Sequence, residues 1–502
     1  MKLKNLALAI FIALTCLWVK TPGTASEGAT DAKKFSQTLD SIVPKLLQEN
    51  LVPGAAVALI QNGEVVFKKG YGYSDLEKKQ PVTPQTGFNI GSISKTVAAW
   101  GVMRLVDQGK LDLDVPVEKY LKRWHLPESE FNNEGVTVRR LLSHTAGLSL
   151  HGYPGFGPDD KLPSVEESLS GKTNGSGDVH LIMEPGTKWK YSGGGYTISQ
   201  LLIEETTGQI FADYMREQIL RPLGMLRSDY RLTKEILAGS SVAYDGWGDP
   251  TPNPRFTAEA AAGLHTTVED LATFAAAALA GPDKQLPGRN ILKPKTIELM
   301  LTPAPASNGT YGLGYSTRSL PKAKTSKGHG GSNRGWQAYF QIIPESREGI
   351  VVVTNGSNGR NVHCQVFSAW TEWVTGDRPE RGCQKPVRIV LIPTILDDGV
   401  EAALKQYREL KDTNPEDYIF SEGQLNNLGY QLLGKERIKD AIEIFKLNVA
   451  AFPQASNPYD SLGEGYMKNG DKELAIKNYK KSLELNPDNT NAVEMLKKME
   501  NQ

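Results

Sequence analysis

The sequence predicts an α/β (α+β) region followed by an all-α repeat array, and three observations carry that reading. Residues 53–67 read as two apolar strands around Asn62-Gly63, a dipeptide that favours the φ > 0 turn of a tight hairpin. Residues 338–343 and 349–355 are two further apolar strand-like runs, while 92–300 between these groups is mostly of helical pattern. Beyond about residue 385, Leu428, Gly429, Ala441, Ile442, Phe445 and Pro453 recur 34 residues later as Leu462, Gly463, Ala475, Ile476, Tyr479 and Pro487. The expectation is an antiparallel sheet built from N- and C-terminal segments, a helical subdomain between them, and a solenoid of helix pairs.

A 34-residue period is that of tetratricopeptide repeats. The alanine lets two helices approach, the glycine permits a close crossing, and the proline ends the second helix. A looser copy stands at Ala403, Tyr407 and Pro415. So short an array is marginal alone, so it is expected to dock on the α/β region or on a protein partner; a brace without a ligand is the plainer alternative. The expected division is a leader at 1–25, an α/β domain at 33–376, a linker at 377–397 marked by Arg378-Pro379-Glu380-Arg381-Gly382, Pro386 and Pro393, and repeats at 398–502.

The 502 residues are 39% hydrophobic and 23% charged, ordinary for globular domains. Lys+Arg and Asp+Glu balance at 57 each, so no overall field recruits nucleic acid or an anionic membrane. Lys2 and Lys4 precede an apolar run from Leu6 to Val19 and a small-residue stretch ending at Ala25-Ser26, which fits a secretory signal. The run is short for a spanning helix, so no stable membrane span is expected after cleavage. The protein is therefore expected to be exported, periplasmic or secreted. Cys16 invites a lipoprotein reading, but Leu14-Thr15 before it is a poor match to such processing. After cleavage only Cys364 and Cys383 remain, and an even pair in an exported chain suggests one disulfide. Spacing alone leaves two unpaired thiols open.

The chemistry centres on Gly91-Ser92-Ile93-Ser94-Lys95. Residues three apart share a helix face, so Ser92 and Lys95 lie one turn apart at the start of a buried helix. There the backbone N–H groups lack partners and favour developing negative charge. Serine is a weak nucleophile until a base takes its proton, and Lys95 can do so if desolvation or neighbouring cations lower its pKa. By itself the tetrapeptide also fits an N-cap beside a solvated lysine.

Two more segments follow in order: Tyr191-Ser192-Gly193-Gly194-Gly195, and Gly328-His329-Gly330-Gly331-Ser332-Asn333-Arg334-Gly335-Trp336. Secondary signatures are Leu141-Leu142-Ser143-His144-Thr145-Ala146-Gly147-Leu148, Pro222-Leu223-Gly224-Met225, Ala262-Gly263-Leu264 and Tyr311-Gly312-Leu313-Gly314. With these, residues 36–376 resemble the serine β-lactamase and penicillin-binding protein superfamily. The nearest branch is that of class C β-lactamases, D-alanyl-D-alanine carboxypeptidases, D-aminopeptidases and related esterases.

The resemblance implies an active site between sheet and helical part, with Ser92 as nucleophile and Lys95 and Tyr191 sharing the acid–base work. It further implies an oxyanion hole from the backbone N–H groups of Ser92 and Ser332, and substrate contacts at His329, Gly330, Gly331 and Gly193. Two departures stand out. Gly193 occupies the place of the family's usual asparagine, and His329 stands where β-lactamases commonly carry lysine, so an efficient β-lactamase is not expected. Tyr191 can act as a base only if cations, Lys95 or His329, depress its phenol. His144 sits in a family segment where a structural role is expected. Gly193-Gly194-Gly195 lacks the ending of a phosphate loop, and the scattered histidines give no metal-ligand spacing, so neither metal nor cofactor is expected. The expected function is an exported serine hydrolase acting through a Ser92 acyl-enzyme on D-amino-acid peptides or amides, cell-wall fragments or small esters. The alternatives are a β-lactamase, and a catalytically weak protein that binds peptidoglycan or a protein partner.

Overall fold

The computed structural model describes residues 27–379 and 382–500. The expected leader and Cys16 lie outside the described residues. In chain order the strands of the catalytic region are β1 (Gly54–Gln61), β2 (Glu64–Asp75), β3 (Gln80–Pro81), β4 (Gly87–Asn89), β5 (Ala243–Tyr244), β6 (Pro250–Thr251), β7 (His265–Thr267), β8 (Ser316–Ser319), β9 (Thr325–Asn333), β10 (Trp336–Ile343) and β11 (Glu348–Thr354). Seven of them form one antiparallel sheet in the order β3-β2-β1-β11-β10-β9-β8. Both ends of the catalytic region meet at its centre, where Ala55 pairs with Thr354 and Leu59 with Ile350. The β1–β2 turn is Asn62-Gly63, with φ of 54° and 76°, the conformation that dipeptide supplies.

The central strands are apolar throughout because the sheet is covered on both faces. Val57, Leu59, Ile350 and Val352 pack with Phe35, Leu39 and Val43 of helix α1 (Glu27–Glu49) and with Val362, Val366 and Trp370 of helix Gly359–Thr375. Their neighbours in the period-2 alternation, Ala56, Ala58, Ile60, Val351 and Val353, face the helical subdomain. Helix α2 (Ile93–Asp107) runs through that second core, with Val97, Trp100 and Met103 essentially inaccessible.

Cys364 and Cys383 form a disulfide that closes a loop of 19 residues, with Cα atoms 5.8 Å apart. A loop of that length is worth about 3 kcal/mol of unfolded-state entropy. Cys364→Ser is therefore expected to lower the melting temperature by several degrees, and reduction of the wild type to lower it equally. An unchanged melting temperature on reduction would remove the bridge from the stability account.

The repeats take the expected form. Helices Glu422–Gly434 and Ile438–Ala451 cross at Gly429, where an added Cβ would lie 2.3 Å from the Phe445 ring. Helices Ser456–Asn469 and Lys472–Leu485 cross in the same way at Gly463, 3.1 Å from the Tyr479 ring. Ala441 and Ala475 are fully buried in these crossings. The expected linker at 377–397 needs correction. It contains helix Val387–Asp397, whose Val387, Leu391, Ile392 and Ile395 are buried in the core of the repeats. Pro386 caps this helix and Pro393 lies within it, so prolines that suggested a boundary belong to packed structure. Trp247 of the catalytic region joins the same core, so the array docks on it.

Candidate active site

Strand β4 ends at Asn89, and the chain turns through Gly91 into helix α2, with Ser92 at its N-cap. Gly91 has φ +50°, and an added Cβ there would lie 2.5 Å from the Ser332 backbone nitrogen. Glycine thus lets β9 press against the turn that leads into Ser92. Asn89 Oδ1 accepts the Gly91 N–H at 2.8 Å and the Asn333 Nδ2–H at 2.6 Å, tying the turn to the end of β9. An added Cβ on Gly331 would lie 1.8 Å from Ile90 O, a second close approach that only glycine permits.

Lys95 is 2% exposed, and its Nζ lies 3.1 Å from Ser92 Oγ and donates to the Ala261 carbonyl at 2.6 Å. No carboxylate forms a salt bridge with it among the described residues. Burial therefore acts unopposed and lowers its pKa to about 7, so the neutral amine is abundant at neutral pH. Ser94, on the other side of the motif, is structural: its buried Oγ accepts the Leu264 N–H at 2.9 Å.

Tyr191 faces the pair, with Lys95 Nζ 5.1 Å from its ring centroid. Burial pushes its phenol above the ordinary value, and hydrogen bonding with the Ser92 side chain offsets this only partly. The condition for Tyr191 to act as a base, a depressed phenol, is not met; it keeps its proton. His329 needs a similar correction. Burial and the Lys95 charge lower it to about 4, so it is neutral rather than a candidate cation. Its Nδ1 lies 2.6 Å from the Gly330 carbonyl and so carries the proton, leaving Nε2 to accept from Tyr311 Oη at 2.8 Å. His144, at φ +58°, accepts the Ser192 N–H on Nδ1 at 3.1 Å and lies 4.1 Å from the Tyr191 ring, centroid to centroid. It supports Tyr191 and does not reach Ser92 by any hydrogen bond. Tyr311 and Ala261 are the contributors that residue-by-residue reading passed over; both lie in or beside family signatures, Tyr311-Gly312-Leu313-Gly314 and Ala262-Gly263-Leu264.

Gly193 opens helix Gly193–Thr207, and its N–H donates to the His151 carbonyl at 3.0 Å. An added Cβ would meet His151 O at 3.0 Å, Gly152 Cα at 3.3 Å and the Tyr153 ring at 3.4 Å. The 151–153 segment thus occupies the side on which an asparagine would begin, and the exposed His151 ring lies 4.9 Å from that of Tyr191. Gly193→Asn is expected to displace this segment, costing about 1–3 kcal/mol. Thermal melting should show the loss, and nitrocefin turnover should not rise; a stable variant with new β-lactam turnover would contradict this. Beside Ser332 lies a cavity of about 650 Å³, bounded by Phe156, Asn174, Thr251, Asn253, Arg334 and Gln337, in which Arg334 is the one charged lining side chain. The partly exposed Trp189 lies 6.2 Å from Tyr191 and 6.0 Å from Tyr311.

A sheet packed against a helical subdomain, with Ser-x-x-Lys on the first buried helix and His-x-Gly on the facing strand, is the arrangement of serine β-lactamases and penicillin-binding proteins. The chain belongs to the Beta-lactamase family, whose model matches residues 39–365, and a tetratricopeptide repeat model matches 457–489. It is 28% identical over 335 residues to Protein flp of Staphylococcus aureus, covering 64% of this chain and 63% of that one. The match thus spans under two thirds of that relative's length. The octameric penicillin-binding protein homologue from Pyrococcus abyssi superposes with a TM-score of 0.58 at 28% identity, over 72% of this chain and 81% of that one. A β-lactamase/D-alanine carboxypeptidase from Pseudomonas syringae shares the fold, with a TM-score of 0.55 at 18% identity, over 68% of this chain and all of that one.

Proposed function

We propose that the protein is an exported serine hydrolase that forms an acyl-enzyme on Ser92. The observation that carries this is the buried Lys95 amine, 3.1 Å from Ser92 Oγ and, among the described residues, without an acidic partner that would keep it charged. Ser92 Oγ attacks the substrate carbonyl carbon and its proton passes to the neutral Lys95 amine. The developing oxyanion is held by the Ser92 and Ser332 backbone N–H groups, brought together by the close approach of β9 at Gly91. Tyr191, which holds its proton, hands it to the leaving group and is reprotonated from Lys95. Water then attacks the ester by the reverse route, and the acid leaves.

The substrates proposed are D-amino-acid peptides or amides, cell-wall fragments and small esters. A neutral His329 and the absent amide at Gly193 leave a penicillin's carboxylate and acyl-amide short of partners, each worth roughly 0.5–1.5 kcal/mol and more where charged. Activated esters and D-amino-acid amides are thus expected to show higher kcat/KM than benzylpenicillin or nitrocefin. A β-lactam kcat/KM above every ester and D-amide tested would overturn this choice. The repeats provide the place for a protein partner, which pull-down with the isolated full chain would capture through its C-terminal helices.

A further inference from the structure

The β5–β6 hairpin touches the repeats at its tip and the cleft along its arm. Its tip is a tight loop in which the Trp247 and Asp249 N–H groups both donate to Asp245 Oδ1, at 2.8 and 3.1 Å. Trp247 is 8% exposed, packs with Val387 and Leu391, and donates from Nε1 to Gln431 Oε1 at 3.1 Å. Lys435 pairs with Asp249 and lies over the Trp247 ring, 5.3 Å from its centroid. The Gly246 carbonyl accepts Asn358 Nδ2–H at 2.9 Å, and Asn358 Oδ1 accepts from Arg388, in the first helix after the disulfide, at 3.0 Å.

The arm leads into the site. Thr251 and Asn253 line the cavity beside Ser332, and Thr251 Oγ1 and Asn253 Oδ1 are buried without a hydrogen-bond partner. An added Cβ on Gly335 would lie 2.6 Å from Ala243 Cβ and 2.9 Å from Thr251 Cγ2, so the hairpin rests on the β9–β10 turn that follows Ser332. On the catalytic side β5 is anchored through Tyr244, which bonds Asn355 O and the Ser357 N–H, each at 2.9 Å. β6 is held to β5 by only two residue pairs. Apart from the Gly246–Asn358 bond, the tip's anchors, Gln431, Lys435 and the apolar seat of Trp247, belong to the repeats.

We propose that the repeat array is a positioning element of the active site. By clamping Trp247 it fixes β6, the Thr251–Asn253 wall of the cleft, and the turn that presents Ser332. Trp247 touches no substrate; it acts through the hairpin. This rests on the assignment of Ser92 and Ser332 to acylation, so the test carries one readout that depends on that assignment and one that does not.

In the full chain, Trp247→Ala is compared with Trp247→Phe and with Tyr479→Ala, which loosens the last helix pair away from the hairpin. The rate of covalent labelling by a fluorophosphonate and amide hydrogen exchange are measured well below the melting temperature. Trp247→Ala is expected to slow labelling on the order of 10²-fold, as misplacement of a positioned group does, and to speed exchange at the Thr251 amide, paired with Ala243, and at 330–335. Trp247→Phe should restore most of both, and Tyr479→Ala should change neither. Wild-type exchange at Thr251 and at 330–335 in Trp247→Ala would overturn the proposal. A wild-type chain that resists the probe would remove the acylation reading instead, while the exchange comparison still decides the positioning role.

Discussion

Ser92→Ala is expected to abolish probe labelling and hydrolysis, a loss on the order of 10³-fold or more, while Ser94→Ala keeps most of both. The two serines are two residues apart and chemically identical, so the difference must come from placement. Ser92 Oγ is half-buried at the helix start beside the Lys95 amine, whereas Ser94 Oγ is inaccessible and committed to the Leu264 N–H. Losing that one hydrogen bond costs Ser94→Ala about 1 kcal/mol of stability. Equal loss of activity in both variants would show that the turn, rather than one hydroxyl, is what matters.

Lys95→Met is expected to be as severe for labelling and to carry a signature in stability. In the wild type the labelling rate should rise with pH through about 7, as the buried amine loses its proton, and level off above. The stability effect has the opposite origin but the same direction. The folded amine titrates near 7 and the unfolded one near 10.5, so between those values the unfolded chain binds more protons and wild-type stability rises with pH. Below pH 7 the full penalty of a buried charge is present. The melting temperature of Lys95→Met relative to wild type should therefore be most favourable at pH 6 and fall steadily towards pH 10. A difference that does not vary with pH would mean that Lys95 is not desolvated in solution. Tyr191→Phe should slow labelling without moving this midpoint, since Tyr191 keeps its proton across the range.

What was legible in the sequence was whatever is written in local spacing. Asn62-Gly63 announces its hairpin, Ser92 and Lys95 share a helix face, and the 34-residue period places Gly429 and Gly463 at helix crossings. Protonation states were not legible, because they depend on burial supplied by distant segments. His329 is neutral and Tyr191 keeps its proton for the same reason that Lys95 readily loses its own: each is enclosed by parts of the chain that its neighbours in sequence do not reveal. The Ala261 carbonyl that holds Lys95 is a backbone atom 166 residues away, which no side-chain motif can signal. The same applies to Trp247 and Gln431, 184 residues apart, whose bond fixes where the array docks.

The most direct test of the central claim is mass spectrometry of the full-length chain after brief exposure to a fluorophosphonate and, separately, to an activated ester. The account predicts a single adduct that maps to the peptide bearing Ser92, persistent with the fluorophosphonate and decaying with the ester, and absent from Ser92→Ala. An adduct on any other residue, or none with either reagent, would contradict it.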